Sequence, residues 1–120
     1  MSDESQDSLE HLRTALRSFA AERDWERFHS PKNLVMALSG EVGELIEHFQ
    51  WLTEDASRSL EPEQLGEVEL EMADVLLYLI RLADVLGVDL VDTAQRKMKL
   101  NAERYPADKV RGRSTKYSRL

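Results

Sequence analysis

The sequence predicts an all-α protein, a bundle of four helices joined by short links. Three observations predict it. Only three prolines and five glycines interrupt 120 residues. Apolar residues recur at intervals of three and four, the period of one helix face. The β-branched residues do not alternate with polar ones, as half-buried strands require. Long periodic segments with short connections suit a bundle.

Each element has its own warrant. Leu9, Leu12, Leu16, Phe19 and Ala20 share a helical stripe, which predicts a first helix over about residues 5–24. Trp25 to Asn33 reads as a connection that ends in Ser30-Pro31, an N-cap followed by proline at the first helical position. A second helix is expected over about residues 32–52. The polar stretch Thr53 to Glu61 reads as a loop, and Pro62 opens a third helix that stops at Gly87. Asp89 caps a fourth helix that lasts to about Arg104, just before Pro106. With no repeat and no composition shift, residues 1–120 are expected to form a single domain, with a flexible stretch over 1–7 and an irregular basic tail over 107–120.

Composition narrows the function classes. Sixteen basic against 23 acidic residues leave a net charge of −7, which argues against non-specific binding to nucleic acid. Cysteine is absent, which excludes disulfides, thiolate metal sites and a cysteine nucleophile. Met1 to Asp7 is polar and acidic rather than basic then apolar, and no apolar run approaches the ~20 residues that span a bilayer. A cytoplasmic protein without membrane partners is expected.

Two pairs of carboxylates carry the chemistry. Glu41 and Glu44 lie three apart on the second helix, Glu71 and Asp74 three apart on the third. Residues at that spacing are neighbours on one helix face, so each pair can address a common ion. Glu41 falls in the stripe of Leu34, Leu38, Leu45 and Leu52, and Glu71 among Val75, Tyr78 and Leu82. An ionised carboxylate on a core-facing surface needs a cation or hydrogen-bonding partners. Oxygen-only ligands suit Mg²⁺, with Mn²⁺ as a substitute. The ordinary alternative is a solvated acidic face, which is common for one such pair. A di-iron bundle would need Glu-x-x-His on two helices, and Glu26 to His29, just before a proline, is the sole instance.

Aromatic and basic residues can supply the rest of a nucleotide site. Trp25 and Trp51 can sandwich a base, although ordinary core packing explains either one alone. His29 sits in the first connection, where a structural hydrogen bond is the competing role. Lys97, Asn101 and Arg104 lie close to one face of the fourth helix and can hold phosphate oxygens. A solvated basic helix end, favoured by the helix dipole, is the alternative. The chain has no Gly-rich phosphate loop and no nucleophilic triad order.

Taken together, Phe19-Ala-Ala-Glu-Arg-Asp-Trp-Glu-Arg-Phe-His29, Pro31-Lys-Asn33, Gly40-Glu-Val-Gly-Glu-Leu45, Phe49-Gln-Trp51, Glu71-x-x-Asp74-Val-Leu-x-Tyr78 and Lys97-Met-x-x-Asn101-x-x-Arg-Tyr-Pro106 resemble the dCTP pyrophosphatase branch of the MazG-like, all-α NTP pyrophosphohydrolases. The resemblance runs from about Phe19 to Tyr117. It implies a Mg²⁺-dependent hydrolase that cleaves a nucleoside triphosphate, most simply dCTP, to the monophosphate and diphosphate. It implies that Glu41, Glu44, Glu71 and Asp74 are the metal ligands and catalytic residues. Trp25, His29, Trp51 and Tyr78 then shape the base and sugar pocket, Lys97 and Asn101 lie near the nucleotide, and Arg111-Gly112 to Lys116-Tyr117 resembles a closing segment. Leu70 departs from many relatives, which place a second glutamate just before the third ligand. A modified nucleotide as substrate, or a non-catalytic helical module that binds nucleotide or protein, are the alternative functions.

A homo-oligomer, dimer or tetramer, is also expected. The third helix is apolar over more than half its circumference, through Leu65, Val68, Met72, Val75, Leu76, Leu79, Ile80, Leu82, Ala83 and Leu86, which exceeds one core-facing stripe. A chain this small covers its apolar surface poorly alone.

Overall fold

The computed structural model describes residues 3–119, and among them only helices, turns and irregular links occur. In chain order the helices are α1 (Asp3–Glu22), α2 (Pro31–Glu47), α3 (Glu54–Ser57), α4 (Pro62–Leu86), α5 (Leu90–Arg104) and α6 (Ala107–Val110), with single 3₁₀ turns at Glu26–Phe28 and Tyr117–Arg119. The all-α expectation holds. No helix among the described residues is long and apolar enough to cross a membrane.

The chain divides into two compact units, residues 1–88 and 89–120. In the first, α4 packs against both α2 and α1. Ala20 of α1, Leu34 of α2 and Val68, Ile80 and Ala83 of α4 form its buried apolar core. Arg81, also on α4, is buried with them. In the second unit α5 and α6 follow one another, and Val91 is the buried apolar residue among those described.

Local chemistry sets the ends. Ser30 accepts the Asn33 amide at 3.2 Å with Pro31 at the first helical position, and the Asn33 side chain donates back to the Phe28 carbonyl at 3.0 Å. Pro62 opens α4, and Gly87 closes it with φ +71°, a left-handed position that suits glycine. Asp89 accepts the Asp92 amide at 3.0 Å and starts α5. The end of α1 is less ordinary. Asp24 stands left-handed at φ 54°, while Asp24 donates to the Ala21 carbonyl and Trp25 to the Ala20 carbonyl. This is a Schellman closure with aspartate in the glycine position, and it fixes the direction in which the chain delivers Trp25.

Several expected boundaries move. α1 starts at Asp3, so the helix takes in residues 3–7; residues 1 and 2 lie outside the described residues. α2 ends at Glu47 instead of near 52, because the backbone tightens into three-residue closures: His48 donates to Leu45, Phe49 to Ile46 and Leu52 to Phe49. The expected loop over 53–61 contains α3, which the Thr53 hydroxyl caps by accepting the Ala56 amide at 3.1 Å. The tail expected to be irregular contains α6 and the 3₁₀ turn at Tyr117–Arg119.

Candidate active site

The packing of α2 on α4 brings carboxylates from both helices together. Glu41, Glu44 and Glu71 each place one oxygen so that all three lie within 4.8 Å of one another. One carboxylate oxygen of Glu41 and one of Glu71, Oε2 in each case, are buried without a hydrogen-bond partner. Burial and the crowding of like charge have the expected effect on ionisation. Glu41 is pushed up to about 7, first by desolvation, then by hydrogen bonding with Glu44 and by the charges of Glu44, Asp74 and Glu71. Glu71 is also raised, first by desolvation, then through Glu44 and Asp74, with His48 opposing. Asp74 stands outside the three-residue group but acts on two of its members through its charge.

Buried oxygen acceptors without donors, held beside other carboxylates, form a site that favours added positive charge. The donor set is oxygen only, which fits a hard divalent cation rather than zinc in a cysteine or histidine cage. Glu41, Glu44 and Glu71 can therefore hold such an ion, with the charge of Asp74 close by.

A cavity of about 390 Å³ lies in the same unit. Leu12, Ala15, Leu16 and Phe19 from α1 and Leu77 from α4 give it an apolar wall. Trp25, His29, Asp74, Tyr78 and Arg81 complete the lining. Phe19 meets Trp25 edge-on at 5.7 Å between ring centroids, and Trp25 meets His29 edge-on at 6.5 Å. Asp74 belongs to the lining and influences the carboxylate cluster, so the cavity adjoins the cluster through this residue. A flat apolar ring fits such a wall, with its polar edge turned to the few hydrogen-bonding groups.

Behind the cavity runs a line of charge. Arg81 donates from Nε to His29 Nδ1 at 3.1 Å and from Nη1 to Asp84 at 3.2 Å. Asp84, with a side chain only 5% exposed, also accepts Arg17 from α1 at 3.0 Å and lies 3.6 Å from Arg13. The Arg17 hydrogen bond holds the Asp84 carboxyl below its usual range against the opposing effect of burial, and the charges of Arg17, Arg13 and Arg81 add to it. His29 is lowered, first by desolvation and then by Arg81.

Trp25, His29, Tyr78 and Asp74, all expected from the sequence, share the cavity. Trp51 does not join them: it sits on the turn after α2 and is 87% exposed. Lys97, Asn101 and Arg104 lie on α5 in the second unit, all exposed. Arg111 to Lys116 follows α6, with Gly112 left-handed at φ +77°. Sequence reasoning missed Arg81, Asp84 and Arg17. The available signal was that Arg81 and Asp84 are the sole charged residues between Val75 and Leu86.

Comparison with known proteins adds four findings. The profile of the MazG-like family matches residues 36–120. The dCTP pyrophosphatase 1 of Homo sapiens is 47% identical over 115 residues, which cover 94% of this chain and 68% of that protein. The dCTP pyrophosphatase 1 of Bos taurus is 43% identical over 118 residues, 97% of this chain and 70% of that protein. Among solved structures, a pyrophosphatase from Archaeoglobus fulgidus superposes with a TM-score of 0.78 at 42% identity, covering 82% of this chain and 93% of its own.

Proposed function

The chain belongs to the MazG-like family, and from that premise we propose that it is a nucleoside triphosphate pyrophosphohydrolase whose substrate is dCTP. The observation that carries the proposal is the pair of buried, unpartnered oxygens of Glu41 and Glu71 beside an aromatic-lined cavity. The relatives named dCTP pyrophosphatase support the choice of substrate.

In this proposal Glu41, Glu44, Glu71 and Asp74 hold Mg²⁺, which Mn²⁺ can replace. When bound, the ion supplies positive charge to phosphate oxygens and favours water as the nucleophile. The chain's own residues do the rest. Trp25 and Tyr78 hold the base and sugar in the cavity with His29 at its edge. The apolar wall of α1 excludes water from the base, and Asp74 joins the base end to the phosphate end. Water attacks phosphorus, the anhydride bond breaks, and dCMP and diphosphate leave. Lys97 and Asn101 are assigned to the nucleotide by resemblance, and Arg104 joins them because it lies close to the same face of α5.

Residues 1–120 are taken as one MazG-like domain, since the family match runs across both compact units. Assembly as a homodimer or homotetramer is supported by Met36, Ile46, Trp51, Leu70 and Met72, all more than half exposed on α2, α4 and the turn between α2 and α3. A cytoplasmic location and the lack of nucleic-acid partners complete the proposal, the latter supported by the net charge of −7.

Diphosphate release measured with Mg²⁺ across the common dNTPs and NTPs tests it. The expected result is turnover that is fastest with dCTP and abolished by chelator. Absence of turnover with every nucleotide, or undiminished turnover in excess chelator, would overturn it.

A further inference from the structure

We propose that Arg81 is a positioning residue that holds His29 as the neutral Nε2–H tautomer, so that the cavity reads the hydrogen-bond-accepting edge of a pyrimidine. The second half of this proposal rests on the dCTP reading above.

The chain of contacts leaves one arrangement of protons. Arginine offers donors alone and keeps its charge in proteins. Its Nε lies 3.1 Å from His29 Nδ1, so Nδ1 must present a lone pair. The single ring proton then sits on Nε2, and the imidazolium, a donor at both nitrogens, is excluded. Arg81 has little freedom to turn away. It is 8% exposed, and its Nη1 is tied to Asp84, which is itself fixed by Arg17 and Arg13 from the neighbouring helix. Desolvation and the nearby guanidinium also disfavour the charged form of His29.

Donors outnumber acceptors among the polar side chains that line the cavity: His29 carries Nε2–H, Arg81 a guanidinium and Tyr78 a hydroxyl that can donate, while Asp74 is the carboxylate acceptor and belongs with the carboxylate cluster. Cytosine carries adjacent acceptors at N3 and O2, whereas uracil and thymine carry a proton on N3. A fixed donor opposite N3 forms a hydrogen bond with cytosine and meets another donor in the other two. Sites built to hydrogen-bond a substrate edge reject the mismatched analogue because buried polar groups are left unpaired.

Nitrogen NMR of the ¹⁵N-labelled full-length chain, with His29 assigned by His29→Gln, reads the tautomer directly. The wild type is expected to show Nε2–H at neutral pH. Arg81→Met should shift His29 to a mixture with Nδ1–H or imidazolium. It should also reduce the dCTP-to-dUTP ratio of kcat/KM by about tenfold, with a larger change in KM than in kcat. An Nδ1–H tautomer or imidazolium in the wild type would overturn the proposal without any variant. So would an unchanged His29 signal or an unchanged substrate ratio in Arg81→Met. If that variant does not fold, Arg81→Lys keeps a charge beside Asp84 while removing the Nε donor, and the same losses are expected. The NMR readout needs no turnover. A wild type with the expected tautomer that hydrolyses no dCTP would therefore overturn the pyrimidine half alone and place the fault in the functional proposal.

Discussion

Helix α4 carries two groups of buried charge less than three turns apart, and they are built in opposite ways. Towards its N-terminal half, Glu71 and Asp74 meet Glu41 and Glu44, like charge beside like charge; two oxygens lack partners, and the Glu41 carboxyl is pushed up to about 7. Towards its C-terminal half, Arg81 and Asp84 meet Arg17, Arg13 and His29, and Asp84 is held below its usual value by donors. The second group is compensated within the chain and ties α1 to α4. The first is uncompensated, which a fold tolerates where a ligand completes it. The contrast separates charge that the fold satisfies within itself from charge that it leaves for a ligand.

The largest effect should come from breaking the uncompensated group. Glu41→Gln or Asp74→Asn should lower turnover by orders of magnitude while the helical circular dichroism spectrum stays nearly unchanged. Near-native rates in either variant would remove these carboxylates from the chemistry.

Breaking the compensated group should read out as stability first. Asp84→Ala leaves three arginines near one another without their acceptor. Two of them are partly solvated, so the expected loss is about 2–4 kcal/mol, measured by denaturant unfolding. A loss below about 0.5 kcal/mol would mean that the network is a surface feature in practice.

Trp25 and Trp51 sharpen the comparison between cavity and surface. Trp25→Ala should weaken nucleotide binding by about 1–3 kcal/mol with little effect on diphosphate binding. Trp51 is not among the residues that line the cavity described above. Its replacement should leave the unfolding midpoint of dilute protein unchanged, and any loss of affinity should appear only at concentrations where subunits associate. A large stability loss from Trp51→Ala would contradict its exposed position.

The two groups should also give opposite pH slopes in chelator. Glu41 binds its proton more tightly folded, at about 7, than at its ordinary 4.5. The fold therefore releases fewer protons than the unfolded chain between those values, and stability falls as pH rises through that window. Asp84 is lowered below its ordinary 3.8. Its contribution is present above that value and is lost as pH falls through the folded one. Thermal midpoints across pH should show a decline towards neutrality that Glu41→Gln flattens. The separate loss in acid should be absent in Asp84→Asn. Parallel curves for all three proteins would show that neither group controls the pH dependence.

The smallest effect concerns the turn before Trp25. Asp24→Val places a β-branched residue at φ 54° and should cost about 1–2 kcal/mol, whereas Asp24→Gly should be neutral or mildly stabilising. Equal midpoints for the two variants would mean that the turn relaxes.

What the sequence disclosed follows from the range of the interactions involved. The pairs Glu41/Glu44 and Glu71/Asp74 were legible because i, i+3 spacing is a local property of a helix. The caps at Ser30, Asp89 and Gly87 were legible for the same reason. The end of α2 was not, because Phe49-Gln50-Trp51 has no proline or glycine to signal the tightening at His48. The hydrogen bond from Arg81 to His29 spans 52 positions and exists only once the connection after α1 has been folded against α4. Arg81 and Asp84 could be noticed as charges in an apolar run, but their partners on α1 carry no mark that distinguishes Arg13 and Arg17 from solvated residues.

Trp51 and Trp25 are the chain's two tryptophans, and their surroundings differ sharply: one is 87% exposed on a turn, the other 43% exposed beside Phe19 and His29. The molecule thus contains two built-in fluorophores in unlike solvents. Trp51 should emit at long wavelength and be quenched readily by iodide, and Trp25 should emit to the blue of it and be quenched less. A base entering the cavity should alter the less quenched component, while subunit association should alter the accessible one. Occupancy and assembly can then be followed separately, in one cuvette, without a label.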